Sequence, residues 1–180
     1  MKLHLFGASG AGVTTLGRAL AGTLGLPYFD SDDYFWLPAQ PDYTQRRPPV
    51  ERGALLARDL AAHDSWILGG SVGGWDNSWW AAFDLVVFLW LPPALRRQRL
   101  AEREQLRYGA AIATDPAQAA RTTAFLEWAA GYDDSSTGGS RTIANHTAWL
   151  GRFAGPVLEL RGDLSVAARV AAVVARVQTL

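Results

Sequence analysis

Residues 7–15, Gly7-Ala8-Ser9-Gly10-Ala11-Gly12-Val13-Thr14-Thr15, limit what this chain can fold into more than any other stretch. The apolar run Leu3-His4-Leu5-Phe6 precedes them, and the helical pattern Leu16-Gly17-Arg18-Ala19-Leu20-Ala21 follows. Strand, glycine loop and helix in that order match G-x-x-x-x-G-K-[ST] at every fixed position but one, where Val13 stands in place of lysine. Glycines at 7, 10 and 12 let the backbone approach an anion closely with its N–H groups turned inward. A helix starting near Val13 adds the partial positive charge of its N-terminus. Thr14 supplies a hydroxyl of the kind that holds Mg²⁺. Without the lysine, binding of a phosphate is easier to derive than its transfer. The bland alternative is a helix N-terminus packed tightly on a sheet, its glycines serving only close approach.

A chain of 180 residues is long enough for one α/β domain with a substantial core. The formal net charge is zero, which argues against a broad nucleic-acid footprint. The absence of cysteine excludes disulfides and thiolate metal sites and fits a reducing compartment. The N-terminus runs directly into a strand pattern, and no apolar run reaches the length of a membrane span, so a soluble, cytoplasmic protein is expected. Lys2 is the only lysine beside sixteen arginines, so any cation replacing the missing lysine is expected to be an arginine, which grips phosphate bidentately.

Strand and helix patterns alternate along the chain, which predicts a mostly parallel sheet covered on both faces. Strands are expected at Lys2–Phe6, Leu26–Phe29, Ser65–Leu68, Leu85–Leu91 and Pro156–Leu160. Helices are expected at Thr14–Leu24, Val50–Ala62, Pro93–Arg107, Pro116–Gly131, Ile143–Phe153 and Leu164–Val177. Residues 37–49 hold four prolines and read as a surface excursion.

In such sheets ligands gather beyond the carboxyl ends of the strands. That rim collects the loop 7–15, the acidic run Asp30/Asp32/Asp33 and the glycine turn 69–74. The carboxylates can orient Mg²⁺ through its waters or take a proton from a hydroxyl; helix capping or a solvated turn is the alternative for each. Arg96, Arg99, Arg103 and Arg107 fall on one helical face, where they could fold over a transferring phosphate or simply pair with Glu102 and Glu104 in solvent. Arg141 and Arg161 are further candidates. Trp66 and Trp90 read as core, while Trp75, Trp79 and Trp80, with Tyr34, Phe35 and Trp36, could wall an acceptor pocket suited to a ring or base. His4, His63 and His146 are too scattered for a metal site.

From Gly7 to Asp33 the chain resembles the shikimate kinase and nucleoside-monophosphate (adenylate) kinase branch of the P-loop kinases. The likeness continues through Thr15-x-Gly17-Arg18-x-Leu20-Ala21 and Phe29-Asp30-Ser31-Asp32. The turn Gly69-Gly70-Ser71-Val72 is similar to the glycine turn after the third strand of shikimate kinases, and the arginine helix sits where that family leads into its lid. The chain is also similar to small bacterial proteins labelled adenylate-kinase-like or topology-modulation-like. By motif the resemblance covers residues 3–33 and 66–74; by topology it covers most of the chain.

The resemblance implies a three-layer α/β/α P-loop NTPase fold with a five-stranded parallel sheet, a single domain over residues 1–180 and a lid around 103–145. It implies ATP and Mg²⁺ as ligands. Gly7, Ser9, Gly10, Ala11, Gly12, Val13, Thr14 and Thr15 would cradle the nucleotide, Thr14 and Asp30 would hold the metal, and Arg161 would border the adenine. Asp32 would meet the acceptor hydroxyl, Gly70 and Trp75 would line the acceptor, and Arg103 and Arg107 would close from the lid as catalytic residues. Two departures stand out: Val13 removes the lysine, and Arg52 and Arg58 lack the flanking pattern of the arginines that grip a carboxylate in shikimate kinases, so shikimate is not the expected acceptor.

The expected function is transfer of the ATP γ-phosphoryl group to a small hydroxyl or nucleotide acceptor by a monomer or homodimer, with no nucleic-acid or membrane partner. The alternative is a nucleotide-binding sensor or scaffold with little transfer. Slow nucleotide hydrolysis coupled to a partner is a third reading.

Overall fold

The computed structural model describes residues 1–39, 41–75, 83–136 and 138–180. Asp76, Trp79 and Trp80 lie outside the described residues. Five strands, β1 (Lys2–Gly7), β2 (Tyr28–Asp30), β3 (Trp66–Gly69), β4 (Leu85–Trp90) and β5 (Val157–Arg161), form one sheet in the order β2-β3-β1-β4-β5. All four pairings are parallel. The order reverses at β1, which opens a crevice at its carboxyl end where the glycine loop leaves the strand.

Strand alternation divides the core. Leu3 and Leu5 of β1, with Leu85, Val87 and Leu89 of β4, pack against Leu16 and Leu20 of α1 (Val13–Leu24) and Val173 of α8 (Val166–Val177). Phe6, Val86 and Phe88 face the other way, against Leu56 and Leu60 of α3 (Pro49–Ala61) and Trp149 of α7 (Ile143–Leu150). Helices on both faces make the three-layer arrangement. Between β4 and α7 run α4 (Pro93–Tyr108), α5 (Ala111–Thr114) and α6 (Pro116–Ala130). Among the described residues no helix is long and apolar enough to cross a membrane.

Two short helices depart from the sequence reading. Residues 31–35 form α2 (Ser31–Phe35) directly after β2, because Asp30 caps it by accepting from the Asp32 N–H. The second is α5, a single turn ahead of α6. The second strand begins at Tyr28 rather than Leu26, and α7 stops at Leu150, three residues short of Phe153.

Candidate functional site

Close packing builds the loop. A Cβ on Gly7 would collide with the Leu89 carbonyl of β4, so only glycine leaves β1 here. Ala8 and Ala11 are buried, and the Ala11 N–H closes a turn on the Ala8 carbonyl at 3.0 Å. Gly12 adopts φ 95° as the residue before α1, and no side chain caps that helix, so its first-turn N–H groups face the crevice open to an anion. Val13 packs its side chain onto the apolar core. The Ala11 carbonyl accepts a 2.7 Å bond from Arg169 of α8.

Thr14, on the first turn of α1, donates its hydroxyl to Asp30 Oδ2 at 2.8 Å, and the Tyr28 hydroxyl donates to the same oxygen at 2.9 Å. The other oxygen, Oδ1, caps α2 at 3.1 Å. Asp30 therefore takes the capping role that the sequence offered for it, and it also accepts from the loop hydroxyl. The neighbouring Asp33 carboxyl is raised above the ordinary range by burial and by the Asp30 and Asp32 charges. Among the described residues no three acidic or histidine side chains group into a metal cage. A hydroxyl whose proton is given to a carboxylate keeps its oxygen lone pairs for a cation, which suits Mg²⁺ held largely by water and phosphate.

Beyond α2 the side chains change character. Arg141 donates to Asp32 Oδ1 at 2.9 Å. Arg52 of α3 lies over two rings, 4.8 Å from the centroid of Phe35 and 4.7 Å from that of Trp75. Arg46 lies 5.8 Å and Arg141 also 5.8 Å from Phe35. Three guanidinium groups thus surround one ring, and among the described residues only Arg141 of the three has a carboxylate partner. Burial, then Arg141 and Arg46, pull the Arg52 pKa below its ordinary value. Gly70, at φ 96°, cannot carry a side chain because the Ser31 hydroxyl occupies the space its Cβ would take.

Ser9 of the loop lines a narrow cleft together with Trp128, Ala129, Tyr132 and Arg141. Arg141 thereby faces the loop on one side and Asp32 on the other. A cavity of about 500 Å³ at the opposite end of the strands, lined by Met1, Phe83, Asp84, Pro156, Val177 and Leu180, contains none of these residues.

The arginine row of α4 does not form one face. Arg96 is turned inward, 2% exposed, where it pairs with Asp133, donates to the Leu91 carbonyl and lies 4.9 Å from the centroid of Tyr132. Its buried companions on the helix are Leu100 and Glu104, one turn apart each. Arg99 pairs with Asp163 at 2.7 Å. Arg103 lies over Phe125 and Arg107 over Tyr43, both exposed and both beside Glu104. Arg161 is exposed at the end of β5, paired with Glu159 and over the Phe88 and Trp90 rings.

The structure thus brings together the loop, Thr14, Asp30, Asp32, Arg141 and Trp75; Arg107 is linked to Phe35 of this group through Tyr43 and Trp36, while Arg103 and Arg161 find their partners at Glu104, Phe125 and Glu159. Four contributors escaped the sequence reading: Tyr28, Arg46, Arg52 as a cluster member, and Arg169. The one signal for Arg169 was a charge four positions before Val173, on the apolar stripe of the closing helix.

No family model matches the chain. In sequence it is 40% identical, over 169 residues, to the uncharacterized protein YqaC of Bacillus subtilis (strain 168), covering 94% of this chain and 93% of that one. In structure it is similar to deoxyadenosine kinase from M. mycoides with bound dATP, at a TM-score of 0.59 and 12% identity, covering 99% of this chain and 100% of that one. Shikimate kinase from Aquifex aeolicus vf5 gives a TM-score of 0.54 at 14% identity, with 99% and 97% covered. Shikimate kinase from Acinetobacter baumannii in complex with shikimate gives 0.54 at 17%, with 99% and 92% covered. At these identities the likeness is one of fold, and the fold is that of P-loop kinases.

Proposed function

The chain belongs to the family of the Bacillus subtilis protein YqaC and carries the P-loop kinase fold, and from that premise we propose that it transfers the ATP γ-phosphoryl group to a small, negatively charged acceptor. One observation carries the reading: Arg141 borders Ser9 of the loop across a crevice of about 10 Å³ while holding Asp32, so one arginine of the cluster reaches both the loop and the acidic run. The kinases it resembles in fold act on nucleosides and shikimate, which supports a small-molecule acceptor here.

The residues divide the work. Gly7, Ser9, Gly10, Ala11, Gly12, Val13, Thr14 and Thr15 seat the nucleotide phosphates through backbone N–H groups and hydroxyls. Thr14 and Asp30 hold Mg²⁺, which when bound neutralises charge on the phosphate oxygens. Arg52, Arg46 and Arg141 take the acceptor's anionic group, and Phe35, Trp75 and Gly70 border its body. Arg141 engages Oδ1 of Asp32 alone, leaving Oδ2 for the acceptor hydroxyl. The hydroxyl oxygen bonds to the γ-phosphorus, the bond from that phosphorus to the β–γ bridging oxygen breaks, ADP leaves, and Asp32 takes the proton. Residues 103–145 serve as a lid from which Arg103 and Arg107 close, and Arg161 borders the base.

Calorimetric titration with ATP, with and without Mg²⁺, followed by a coupled ADP-release screen of hydroxy acids, sugar phosphates and nucleoside monophosphates, tests this. Micromolar Mg²⁺-dependent binding and an acceptor-stimulated rate that Asp32→Asn and Arg52→Met each lower are expected. No binding at millimolar ATP would sink the proposal. Val13, packed on the core, favours one second reading, a nucleotide sensor; that reading predicts binding with no acceptor-stimulated ADP release.

A further inference from the structure

Arg169 is the least economical residue in the fold. It stands on the first turn of α8 with 4% of its surface exposed, yet among the described residues it makes no ion pair. Asp163, the carboxylate in its neighbourhood, is engaged by Arg99 at 2.7 Å. What Arg169 does touch is backbone: Nη1 donates to the Ala11 carbonyl at 2.7 Å and Nη2 to the Gly162 carbonyl at 3.2 Å. Its Nε is buried without a partner. A Cβ on Gly12 would stand 3.0 Å from Nη1, so the guanidinium lies directly against the third glycine of the loop.

Stitching α8 to two carbonyls needs only neutral donors, and burying an unpaired cation for that purpose is unfavourable. A charge held behind a loop whose N–H groups await an anion is a different matter. In a trans peptide the carbonyl and the next N–H point in opposite directions. A guanidinium on the Ala11 carbonyl therefore turns the Gly12 N–H away from α8, toward the cradle side of the loop.

Resting on the phosphate-binding reading of the loop, we propose that Arg169 is a positioning residue that supplies, from behind the loop, the positive charge that lysine at position 13 would supply from within it. It fixes the Ala11–Gly12 peptide and raises the potential felt by a polyphosphate across one peptide plane. Val13 is then free to complete the core beside Val170, Val173 and Val174 of α8.

The probes are ATP and inorganic tripolyphosphate, titrated calorimetrically with the thermal midpoint of each unliganded variant measured alongside. Arg169→Gln keeps a neutral donor and removes the charge; Arg169→Lys keeps the charge and a donor. The Gln variant is expected to bind both probes about tenfold or more weakly, and the Lys variant within about threefold of wild type. Val13→Lys is expected to restore binding in the Gln background and to add less than about threefold in wild type. A Gln variant binding like wild type overturns the inference, as does a Lys variant as weak as Gln. Should Gln not fold, the wild-type background decides: a gain of about tenfold or more from Val13→Lys alone overturns it. A wild type that binds neither probe removes the reading of the loop itself, a result distinct from all of these.

Discussion

The hydroxyl of Thr14 donates to the carboxylate of Asp30 across 2.8 Å, tying the first turn of α1 to the end of β2. The same carboxylate holds the Tyr28 hydroxyl at 2.9 Å and the Asp32 N–H at 3.1 Å. Asp30→Ala removes a helix cap and strands a half-buried phenol, so a loss of about 2–4 kcal/mol is expected in urea denaturation. Asp30→Asn, which keeps one acceptor oxygen, should lose about half as much. Equal stability of the alanine variant and wild type would remove Asp30 from the structural framework.

Glycine-to-alanine changes within α1 should have opposite signs. At Gly17 the Tyr28 ring occupies the space a methyl would need, whereas nothing lies within 4 Å at Gly22. Gly22→Ala is expected to stabilise by about 0.5–1 kcal/mol through helix propensity. Gly17→Ala is expected to destabilise by about 1–3 kcal/mol and to displace Tyr28 from Asp30. Paired melting curves decide it, and a stabilised Gly17→Ala would contradict the packing.

Arg96 and Asp133 form a pair in which the cation is 2% exposed and the carboxylate 28%. Removing one partner strands a buried charge, and the partial exposure of Asp133 lowers the usual cost. Asp133→Asn should therefore cost about 2–4 kcal/mol. Combined with Arg96→Met, it should cost clearly less than the two single changes summed, as measured in a double-mutant cycle.

Acid should weaken the fold through two histidines. His4, fully buried and stacked 4.6 Å from Phe83, is lowered to about 3 by its burial. His146, bonded to the Tyr132 hydroxyl at 2.9 Å, is lowered to about 4 by burial and then by Arg141. Both stay neutral in the fold, while the unfolded chain takes up protons near their ordinary value of 6.5. Their contribution is complete above pH 6.5 and is lost as pH falls from there toward 4 and 3, at about 1.4 kcal/mol per pH unit for each. Denaturation at about pH 7.5 and about pH 5 reads the slope, and a flat profile would place both rings in water.

Trp128 and Ser9 line the same cleft, so a ligand on the loop should change the indole's surroundings. Adding ATP and Mg²⁺ is expected to shift tryptophan fluorescence, and Trp128→Phe should abolish most of that change while leaving affinity within about twofold. A full signal in the Phe variant would assign the change to another tryptophan.

The sheet was legible because short apolar runs such as Leu3-His4-Leu5-Phe6 and Leu85–Leu91 alternate with glycine turns and helical stretches. The loop was legible because its glycines and threonines are contiguous. The arginine cluster was not: Arg46, Arg52 and Arg141 come from an excursion, a helix and a loop, and only the folding of all three around Phe35 makes them one group. Arg96 misled for a related reason, since helical spacing places it with Arg99, Arg103 and Arg107 but cannot tell that Asp133 waits on the inward side. Asp30 looked like either a cap or a ligand, and spacing cannot express that the carboxylate capping α2 also holds the Thr14 and Tyr28 hydroxyls.

Ala11 and Arg169 stand 158 positions apart. Ribosomes deliver a chain from its amino end, so the loop leaves the exit tunnel long before the guanidinium that contacts it is made. On the proposed reading of the loop, a phosphate ligand has no finished seat on the nascent polypeptide until Arg169 arrives. A premature stop anywhere ahead of α8 leaves a product with the glycine loop present and its brace missing.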